Sequence, residues 1–206
     1  MEAGHLFVGL TGGIACGKST VAAYLREKGC PVINADRVGH IALNPGQPAY
    51  DQILETFGEG ILTDNKEINR KALGNIIFND RKAREQLNQI THPPITQLIE
   101  ERLLDLTSFL DSGKPVFLEA ALLIESKWKS RCDQIWVVTA PKDQILQRLK
   151  IRNGLTAEQT KARIDSQLRQ EERLPYADVV LENQGLLADL LKQVDLALAQ
   201  LQVMEN

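Results

Sequence analysis

The sequence predicts an α/β fold in which helices cover both faces of a five-stranded parallel sheet. Two observations predict it. Short apolar runs alternate with helical stretches along most of the chain, which is typical of parallel strands joined by helices. The first apolar run also ends in a glycine-rich turn that leads directly into a helical stretch. The runs that we predict to be strands are residues 6–10, 31–35, 116–120, 134–139 and 179–181.

Two intervals interrupt this alternation, and we expect both to be insertions within a single domain of 206 residues. Residues 45–110 are polar and helix-rich, contain no convincing strand and are too many for a plain loop. We predict a helical insert there. Residues 148–173 are strongly charged and begin with Arg148 and Arg152, which one helical face can present together. We predict that this second interval is a mobile lid.

The overall composition argues against several classes of protein. A net charge of −3 does not suit a nucleic-acid-binding face, and no apolar run is long enough to span a bilayer. The first residues lack the pattern of a secretory signal. Cys16, Cys30 and Cys132 fit neither a disulfide framework nor a zinc site. We therefore expect a cytoplasmic monomer or small homo-oligomer that binds neither nucleic acid nor membrane.

The strongest single signal is the glycine-rich turn at residues 12–19, which matches the pattern GxxxxGK[ST] completely. Glycines let successive N–H groups point inward at phosphate oxygens, and the following helix adds its N-terminal dipole. The alternative is a glycine-rich turn with a chance lysine, but the strand before it and the helix after it are the context that a phosphate-binding loop (P-loop) requires. The residues expected to bind ATP here are Gly13, Ile14, Ala15, Cys16, Gly17, Lys18, Ser19 and Thr20.

Two side chains of this loop carry the expected chemistry. Lys18 can reach the β- and γ-phosphates, which makes it a catalytic candidate, and the Ser19 hydroxyl can ligate Mg²⁺. We expect Lys18 to be solvated when no ligand is bound. Cys16 could have a lowered pKa among anion-binding amides, but a small side chain that fills a tight turn is the favoured interpretation.

A P-loop alone does not separate kinases from GTPases, motors or ATP-driven switches. The sequence contains no NKxD-type guanine-reading motif and is too short for most mechanical ATPases. These features favour a kinase for a nucleotide or another metabolite, in which a mobile lid brings arginines to the phosphates. The alternative from a different class is a regulatory ATP-binding switch, which needs neither a helical insert nor a lid.

Further segments along the chain carry a resemblance to one kinase family. They are residues 9–14 and 17–20, 32–36, Arg70 with Leu73 and residues 77–78, residues 87–88 and 90–93, 122–125, Arg148 with Arg152, Arg163 with Ile164 and Gln167, and residues 177–178 with Asn183. In their order and spacing they resemble the dephospho-CoA kinase family over nearly the whole chain. The sequence departs from that family's pattern at Asn34, at Ala15 and Cys16, and at Ala121, which stand for Asp, Gly-Ser and Pro.

This resemblance implies a three-layer P-loop NTPase fold with a helical substrate-binding insert and a lid. The implied reaction moves the γ-phosphoryl of ATP to the ribose 3′-hydroxyl of 3′-dephospho-CoA and gives CoA and ADP, the last step of CoA synthesis. Mg²⁺ is the implied cofactor, and ATP and dephospho-CoA are the implied partners. Another P-loop nucleotide or metabolite kinase is the alternative.

Two carboxylates are candidates for roles beside the phosphates. Asp36 follows the second predicted strand, so it should lie near the carboxyl edge of the sheet, where ligands bind in open α/β folds. Together with the resemblance, this makes Asp36 the catalytic candidate that orients the acceptor hydroxyl or acts as its base; an N-cap for a helix starting at Arg37 is the alternative. Glu119 ends the third predicted strand and is either a residue that holds a water on Mg²⁺ or an ordinary solvated carboxylate.

Four basic residues complete the candidate site. We expect Arg148, the third catalytic candidate, and Arg152 to contact the ATP phosphates or adenine. Arg70 and His92 lie in the region that resembles the family's acceptor-binding part, where a basic group could meet the acceptor's pyrophosphate. Because His92 precedes Pro93, we expect a helix boundary or bend there, and a structural cap or buried hydrogen bond is the alternative role for His92.

Overall fold

The computed structural model describes residues 5–110, 113–153, 164–165 and 167–204. The strands are β1 (Phe7–Gly12), β2 (Val32–Asn34), β3 (Val116–Glu119), β4 (Gln134–Thr139) and β5 (Val179–Glu182). They form one sheet in the order β2-β3-β1-β4-β5, and β1 pairs in parallel with both β3 and β4, as β4 does with β5. The predicted five-stranded parallel sheet is therefore confirmed, with each strand within about two residues of its expected bounds.

Helices connect and follow the strands. The α-helices are α1 (Lys18–Glu27), α2 (Ala35–Ala42), α3 (Pro48–Phe57), α4 (Arg70–Asn79), α5 (Arg81–Phe109), α6 (Lys142–Asn153), α7 (Gln170–Arg173) and α8 (Leu187–Met204). Short 3₁₀ helices span Glu59–Ile61, Lys127–Arg131 and Leu174–Tyr176. None of the helices in the described ranges is both long enough and apolar enough to cross a membrane.

The central strands of the sheet are buried. All six residues of β1 are buried, as expected for a parallel strand that is covered on both sides. Leu25 of α1 and Val194 of α8 join a buried cluster with Phe117 and Trp136 from the sheet. The rings of Phe117 and Trp136 meet edge to face, with 5.1 Å between their centroids, a geometry that adds to the stabilisation from area burial. This core holds the carboxyl ends of β1, β3 and β4 in place.

Residues Asn34–Asp105 form a compact unit of their own, and the residues up to Ile33 and from Leu106 onward form the other. The Asn34–Asp105 unit contains α2, α3, α4 and most of α5, together with an isolated antiparallel bridge between Leu62 and Ile68. Most of residues 45–110 is thus helical; their role as an acceptor-binding insert stays a prediction. The buried core of this unit consists of Ala49, Tyr50, Ile53, Ile61, Ile68 and Leu73.

Helix α5 runs through two consecutive prolines, Pro93 and Pro94. The expected helix boundary next to His92 is therefore wrong. Thr91 and Ile99, on either side of the prolines, are both buried. We attribute the continuity of the helix to this packing, which outweighs the missing N–H groups and the restricted conformation of a residue before proline.

Candidate active site

A strained turn joins β1 to α1. Gly12 pairs with Val138 in the sheet, and a Cβ at Gly12 would come within 2.5 Å of the Val138 carbonyl oxygen. Gly17 has φ of 107°, and a side chain there would also collide with the Asn183 amide. Ala15 has a positive φ of 58°, which costs energy in a residue other than glycine. The loop geometry therefore depends on the two glycines at these positions.

A buried carboxylate links the two chemical side chains of the loop. Glu119 is only 2% exposed, and its Oε1 lies 3.2 Å from Lys18 Nζ and accepts a hydrogen bond from Ser19 Oγ, also at 3.2 Å. Arg26 Nη2 lies 3.7 Å from Oε2 of the same carboxylate. The expectation that Lys18 is solvated is wrong, because its side chain is 12% exposed and paired with Glu119. Nor is Glu119 an ordinary solvated strand-end residue.

Arg148 of α6 contacts the backbone of the loop. Its Nη1 donates to the carbonyl oxygen of Ala15 at 3.2 Å, and its Nη2 donates to Gln144 Oε1 at 2.9 Å and to Asn183 Oδ1 at 3.2 Å. Asn183, just after β5, donates from Nδ2 to the carbonyl oxygen of Cys16 at 2.8 Å. Arg148 is therefore bound to loop carbonyls in this structure.

A cavity of about 650 Å³ opens beside the loop. Residues 12–20 line one part of it, including Thr20, and Arg148 lines another. Two exposed apolar side chains, Ile151 and Leu187, also border it, together with Gly185. One part of the cavity thus offers backbone N–H groups and basic side chains, which suit the phosphates of a nucleotide. Another part is apolar, which suits its base.

A larger cavity of about 990 Å³ borders the same loop and is lined by residues around α7. Gln167 borders both cavities, and its Oε1 accepts a hydrogen bond from the Ile14 N–H at 3.1 Å. Arg173, the last residue of α7, is 3% exposed and lines the larger cavity with Gly13. The segment around α7 therefore lies directly against the phosphate-binding loop.

Cys16 is the buried thiol of the loop. It is 1% exposed, and burial raises its pKa even though Lys18 and Arg173 act in the opposite direction. A raised pKa keeps the thiol protonated at neutral pH and therefore unreactive. This favours the interpretation of Cys16 as a small side chain that fills the turn.

The candidate acceptor residues lie in the Asn34–Asp105 unit. Asp36 is exposed in the first turn of α2, and the N-cap is Asn34, whose Oδ1 accepts from the Arg37 N–H at 2.7 Å. The alternative role of Asp36 as an N-cap is therefore wrong. His40, one turn further along, has its pKa lowered by burial and by the charge of Arg70, while Asp36 raises it. These effects identify Asp36, His40 and Arg70 as electrostatic neighbours; His40 was not a predicted site residue.

The remaining predicted residues are less constrained. His92 is exposed on α5, one turn before Ile95, and a Cβ added to Gly39 of α2 would lie 3.5 Å from Ile95 Cδ1. Helices α2 and α5 thus approach each other near His92. Arg152 belongs to α6, but its side chain lies outside the described residues, as do Arg163 and the other residues 154–162 and 166 of the predicted lid.

Comparison with known proteins identifies the family. The family model for dephospho-CoA kinase matches residues 6–189. The chain belongs to the dephospho-CoA kinase family. Among its curated relatives, the dephospho-CoA kinase of Geobacillus kaustophilus is 43% identical over 202 residues, which cover 98% of this chain and 99% of the relative. That of Carboxydothermus hydrogenoformans is 43% identical over 188 residues, covering 91% and 90%.

Solved structures agree with this assignment. A crystal structure of TT1252 from Thermus thermophilus has a TM-score of 0.82 at 33% identity and covers 96% of this chain and 98% of its own. The dephospho-CoA kinase from Campylobacter jejuni has a TM-score of 0.72 at 31% identity, covering 97% and 98%. The P-loop kinase fold predicted from the sequence is thereby confirmed.

The departures from the pattern of the dephospho-CoA kinase family have structural roles here. Asn34 is the N-cap of α2, Cys16 fills the loop from inside, and Ala15 adopts the positive φ described above. Sequence reasoning did not foresee the clasp that Asn183 makes on the loop. Asn183 itself was part of the family resemblance; its place directly after β5, at the carboxyl edge of a parallel sheet where ligands gather, could have indicated this role.

Proposed function

We propose that this protein is a dephospho-CoA kinase, which transfers the γ-phosphoryl of ATP to the ribose 3′-hydroxyl of 3′-dephospho-CoA. The observation that carries the proposal is the arrangement of Lys18 and Ser19 around the buried carboxylate of Glu119, in a P-loop of a chain from this family. Phosphoryl transfer needs aligned reactants and charge neutralisation rather than covalent catalysis, and this arrangement supplies the charge on the ATP side.

In this proposal, ATP occupies the smaller cavity beside the loop. Its phosphates would lie on the N–H groups of residues 13–20, with Lys18 at the β- and γ-phosphates. Its adenine would lie against the apolar border made by Ile151 and Leu187. Arg148 holds the loop and, with Arg152, is the proposed basic neighbour of the phosphates.

The residues present suit Mg²⁺ as the metal that accompanies ATP. Ser19 and Glu119 offer hard oxygen donors 3.2 Å apart, and the described residues contain no cluster of three or more His, Cys, Asp or Glu that could cage a metal alone. Mg²⁺ typically uses one or two protein oxygens and fills its other positions with water and phosphate. Ser19 would bind it directly and Glu119 through a water; when bound, Mg²⁺ neutralises charge on the phosphates.

The acceptor residues come from the Asn34–Asp105 unit. Asp36 is the proposed partner of the 3′-hydroxyl: it accepts the hydroxyl hydrogen bond and aligns the oxygen with the γ-phosphorus. The bond from that phosphorus to the β,γ-bridging oxygen breaks, with its electron pair leaving on ADP, while the bond to the 3′-oxygen forms and the hydroxyl proton departs to Asp36. Arg70 and His92 are the proposed contacts of the acceptor's pyrophosphate.

The experiment is an acceptor panel. ADP release from ATP would be measured with dephospho-CoA, AMP, shikimate or no acceptor, in the presence and absence of Mg²⁺. We expect turnover with dephospho-CoA to exceed the others at least 100-fold and to need the metal. Faster turnover with another acceptor would favour a different metabolite kinase, and equal ADP release with no acceptor would favour an ATP-binding switch. We further propose a cytoplasmic location and a monomeric or small homo-oligomeric state.

A further inference from the structure

Arg173 is a basic side chain beside the phosphate-binding loop that the proposed function leaves without a role. Arg173 ends the short helix α7 and is 3% exposed. Its guanidinium lies against the backbone of the loop, because a Cβ built on Gly13 would be only 3.2 Å from Arg173 Nη1. An arginine in contact with loop backbone at this position is therefore close to where the phosphates of ATP are proposed to bind.

The charges of Glu125 and Glu172 act on the guanidinium, but two of its nitrogens lack a hydrogen bond among the described residues. Nε and Nη2 are buried and have no hydrogen-bond partner there. Glu172, the adjacent carboxylate, instead accepts from the Arg169 N–H at 2.7 Å. Glu125, whose charge acts most on Arg173, is itself exposed to solvent. Burial lowers the pKa of Arg173, and a structural arginine would ordinarily gain compensating hydrogen bonds.

The segment that carries Arg173 already interacts with an amide of the anion-binding loop. Gln167 Oε1 accepts from the Ile14 N–H at 3.1 Å. Amides in such loops normally face phosphate oxygens. The Gln167 oxygen therefore stands where a phosphate oxygen is expected. Arg173, six residues further along, approaches the loop at the neighbouring Gly13.

We infer that Arg173 is a further catalytic residue, whose Nε and Nη2 hydrogens bind oxygens of the phosphoryl group while it passes from ADP to the acceptor. The inference rests on the proposed function. Two adjacent N–H groups of a planar guanidinium match two phosphoryl oxygens, and arginine is suited to this fork-like geometry. The phosphoryl group supplies the partner that the buried guanidinium lacks. Arg173 exchanges no proton and forms no covalent bond.

The main test combines kinetics with stability in the variant Arg173→Met. Loss of a preorganised donor to a transition state typically costs about 10²–10³ in kcat, and we expect that loss with the ATP Kd changed less than threefold. Since Met replaces a buried, unpaired charge with an apolar chain, Tm should stay the same or rise. The matched control is Arg131→Met, on an exposed side chain just before the amino end of β4, which should keep kcat within threefold.

Three results would overturn the inference. One is a kcat of Arg173→Met within threefold of wild type. Another is a fall of several degrees in Tm together with the loss of kcat, which is the result expected of a structural arginine. The third is a loss confined to ATP Kd. Arg173→Lys, which keeps the charge but not the fork, should recover only part of kcat if the inference holds.

A binding measurement separates this inference from the proposed function. ADP with aluminium fluoride mimics the phosphoryl group in transfer and needs no acceptor. Wild type should bind this combination at least tenfold more tightly than ADP alone, and Arg173→Met should lose most of that gain. If wild type phosphorylates no member of the acceptor panel, the proposed function fails, yet this comparison still tests Arg173. An undiminished gain in Arg173→Met would overturn the role of Arg173 alone.

Discussion

The phosphate-binding loop and the acceptor candidates are held in very different ways. Lys18 and Glu119 are buried against each other, and Arg148 and Asn183 bind the carbonyls of the loop. Asp36 and Arg70, by contrast, are exposed on the first turns of their helices, and His92 is exposed within α5. The loop thus has a geometry fixed by contacts within the sheet unit, whereas the acceptor candidates have exposed side chains.

This difference indicates a division of labour between the two units. A pre-organised phosphate site binds ATP without help from an acceptor, because little conformational entropy is lost on binding. Exposed residues on a separate unit can select the acceptor without disturbing that site. Substitutions of the residues that hold the loop in shape should therefore change ATP affinity and turnover together, while substitutions at the acceptor candidates should leave ATP affinity unchanged.

The largest effect is expected at Lys18. Lys18→Ala should lower kcat/KM by at least two orders of magnitude, because it removes the charge proposed to meet the β- and γ-phosphates. It should also lower the free energy of unfolding by about 1–3 kcal/mol, since the buried Glu119 loses a charged partner. Steady-state kinetics and urea unfolding measure the two effects. The double variant Lys18→Ala/Glu119→Gln should recover part of the stability but none of the activity; unchanged stability in the single variant would contradict the buried pair.

A substitution of Asp36 tests the proposed role of the exposed acceptor candidates. Asp36→Asn should reduce turnover of dephospho-CoA about 10²–10⁴-fold, the usual contribution of a positioned acid–base group, and leave ATP Kd unchanged. Asn34→Ala is the matched control, because it removes the cap of the same helix at a cost of about 1 kcal/mol and leaves the Asp36 carboxylate in place. Turnover of Asp36→Asn within threefold of wild type would mean that the acceptor group must be sought elsewhere.

A substitution of Arg148 tests whether side chains that bind the loop carbonyls maintain ATP affinity. Arg148→Ala removes a charge-assisted bond to the Ala15 carbonyl, so we expect ATP Kd to rise about 10-fold and kcat to fall as well. Asn183→Ala should act in the same direction, because it frees the Cys16 carbonyl. Gln144→Ala removes a neighbour of Arg148 but no bond to the loop, and should change Kd less than threefold. Isothermal titration calorimetry with a non-hydrolysable ATP analogue would measure the Kd of each of the three variants. An unchanged Kd in Arg148→Ala would show that the loop holds its shape without the arginine.

The smallest effect concerns an exposed cluster that ties α1 to α8. Asp195 accepts from the Tyr24 hydroxyl at 2.8 Å and lies 2.7 Å from Lys28 Nζ. These bonds lower the pKa of Asp195 and raise that of Lys28. The stabilisation is therefore present between the unfolded-state pKa values, 3.8 for the acid and 10.5 for the amine, and is lost as pH falls through the lowered pKa of Asp195 or rises through the raised pKa of Lys28.

The measurement is the urea midpoint of wild type and Asp195→Asn across pH. The variant should have a slightly lower midpoint at neutral pH, and the difference should shrink in acid, in strong base and at high salt, since the pair is exposed. ATP Kd should be the same in both proteins at every pH. A difference that persists below the acid transition would mean that Asp195 acts through packing rather than charge.

The sequence predicted those features that depend on local pattern. Alternating apolar runs revealed all five strands, and the motif with its strand and helix context revealed the loop. Glu119 was a candidate because the ends of parallel strands share one edge of the sheet. Its pairing with Lys18, 101 residues away along the chain, could not be predicted, since local pattern does not specify which distant charges become buried together.

Other features depended on tertiary context that opposes a local preference. The prolines of α5 predict a helix end, but burial of flanking residues keeps the helix continuous. In the sequence, Arg173 directly follows two acidic residues, Glu171 and Glu172. Such an arginine is normally solvated and paired at the surface. Only the three-dimensional structure places it, buried, beside Gly13.

The hydrogen bond from Asn183 to the Cys16 carbonyl oxygen also determines the direction of the next amide of the loop. A trans peptide is planar, so its carbonyl oxygen and the next residue's N–H point in opposite directions. The Cys16 oxygen is bound by Asn183 Nδ2 at 2.8 Å, which directs the Gly17 N–H away from Asn183 within the same peptide plane. That peptide does not have to rotate when an anion arrives. Asn183 thus sets the orientation of a loop donor that points away from it, without itself having to meet the anion.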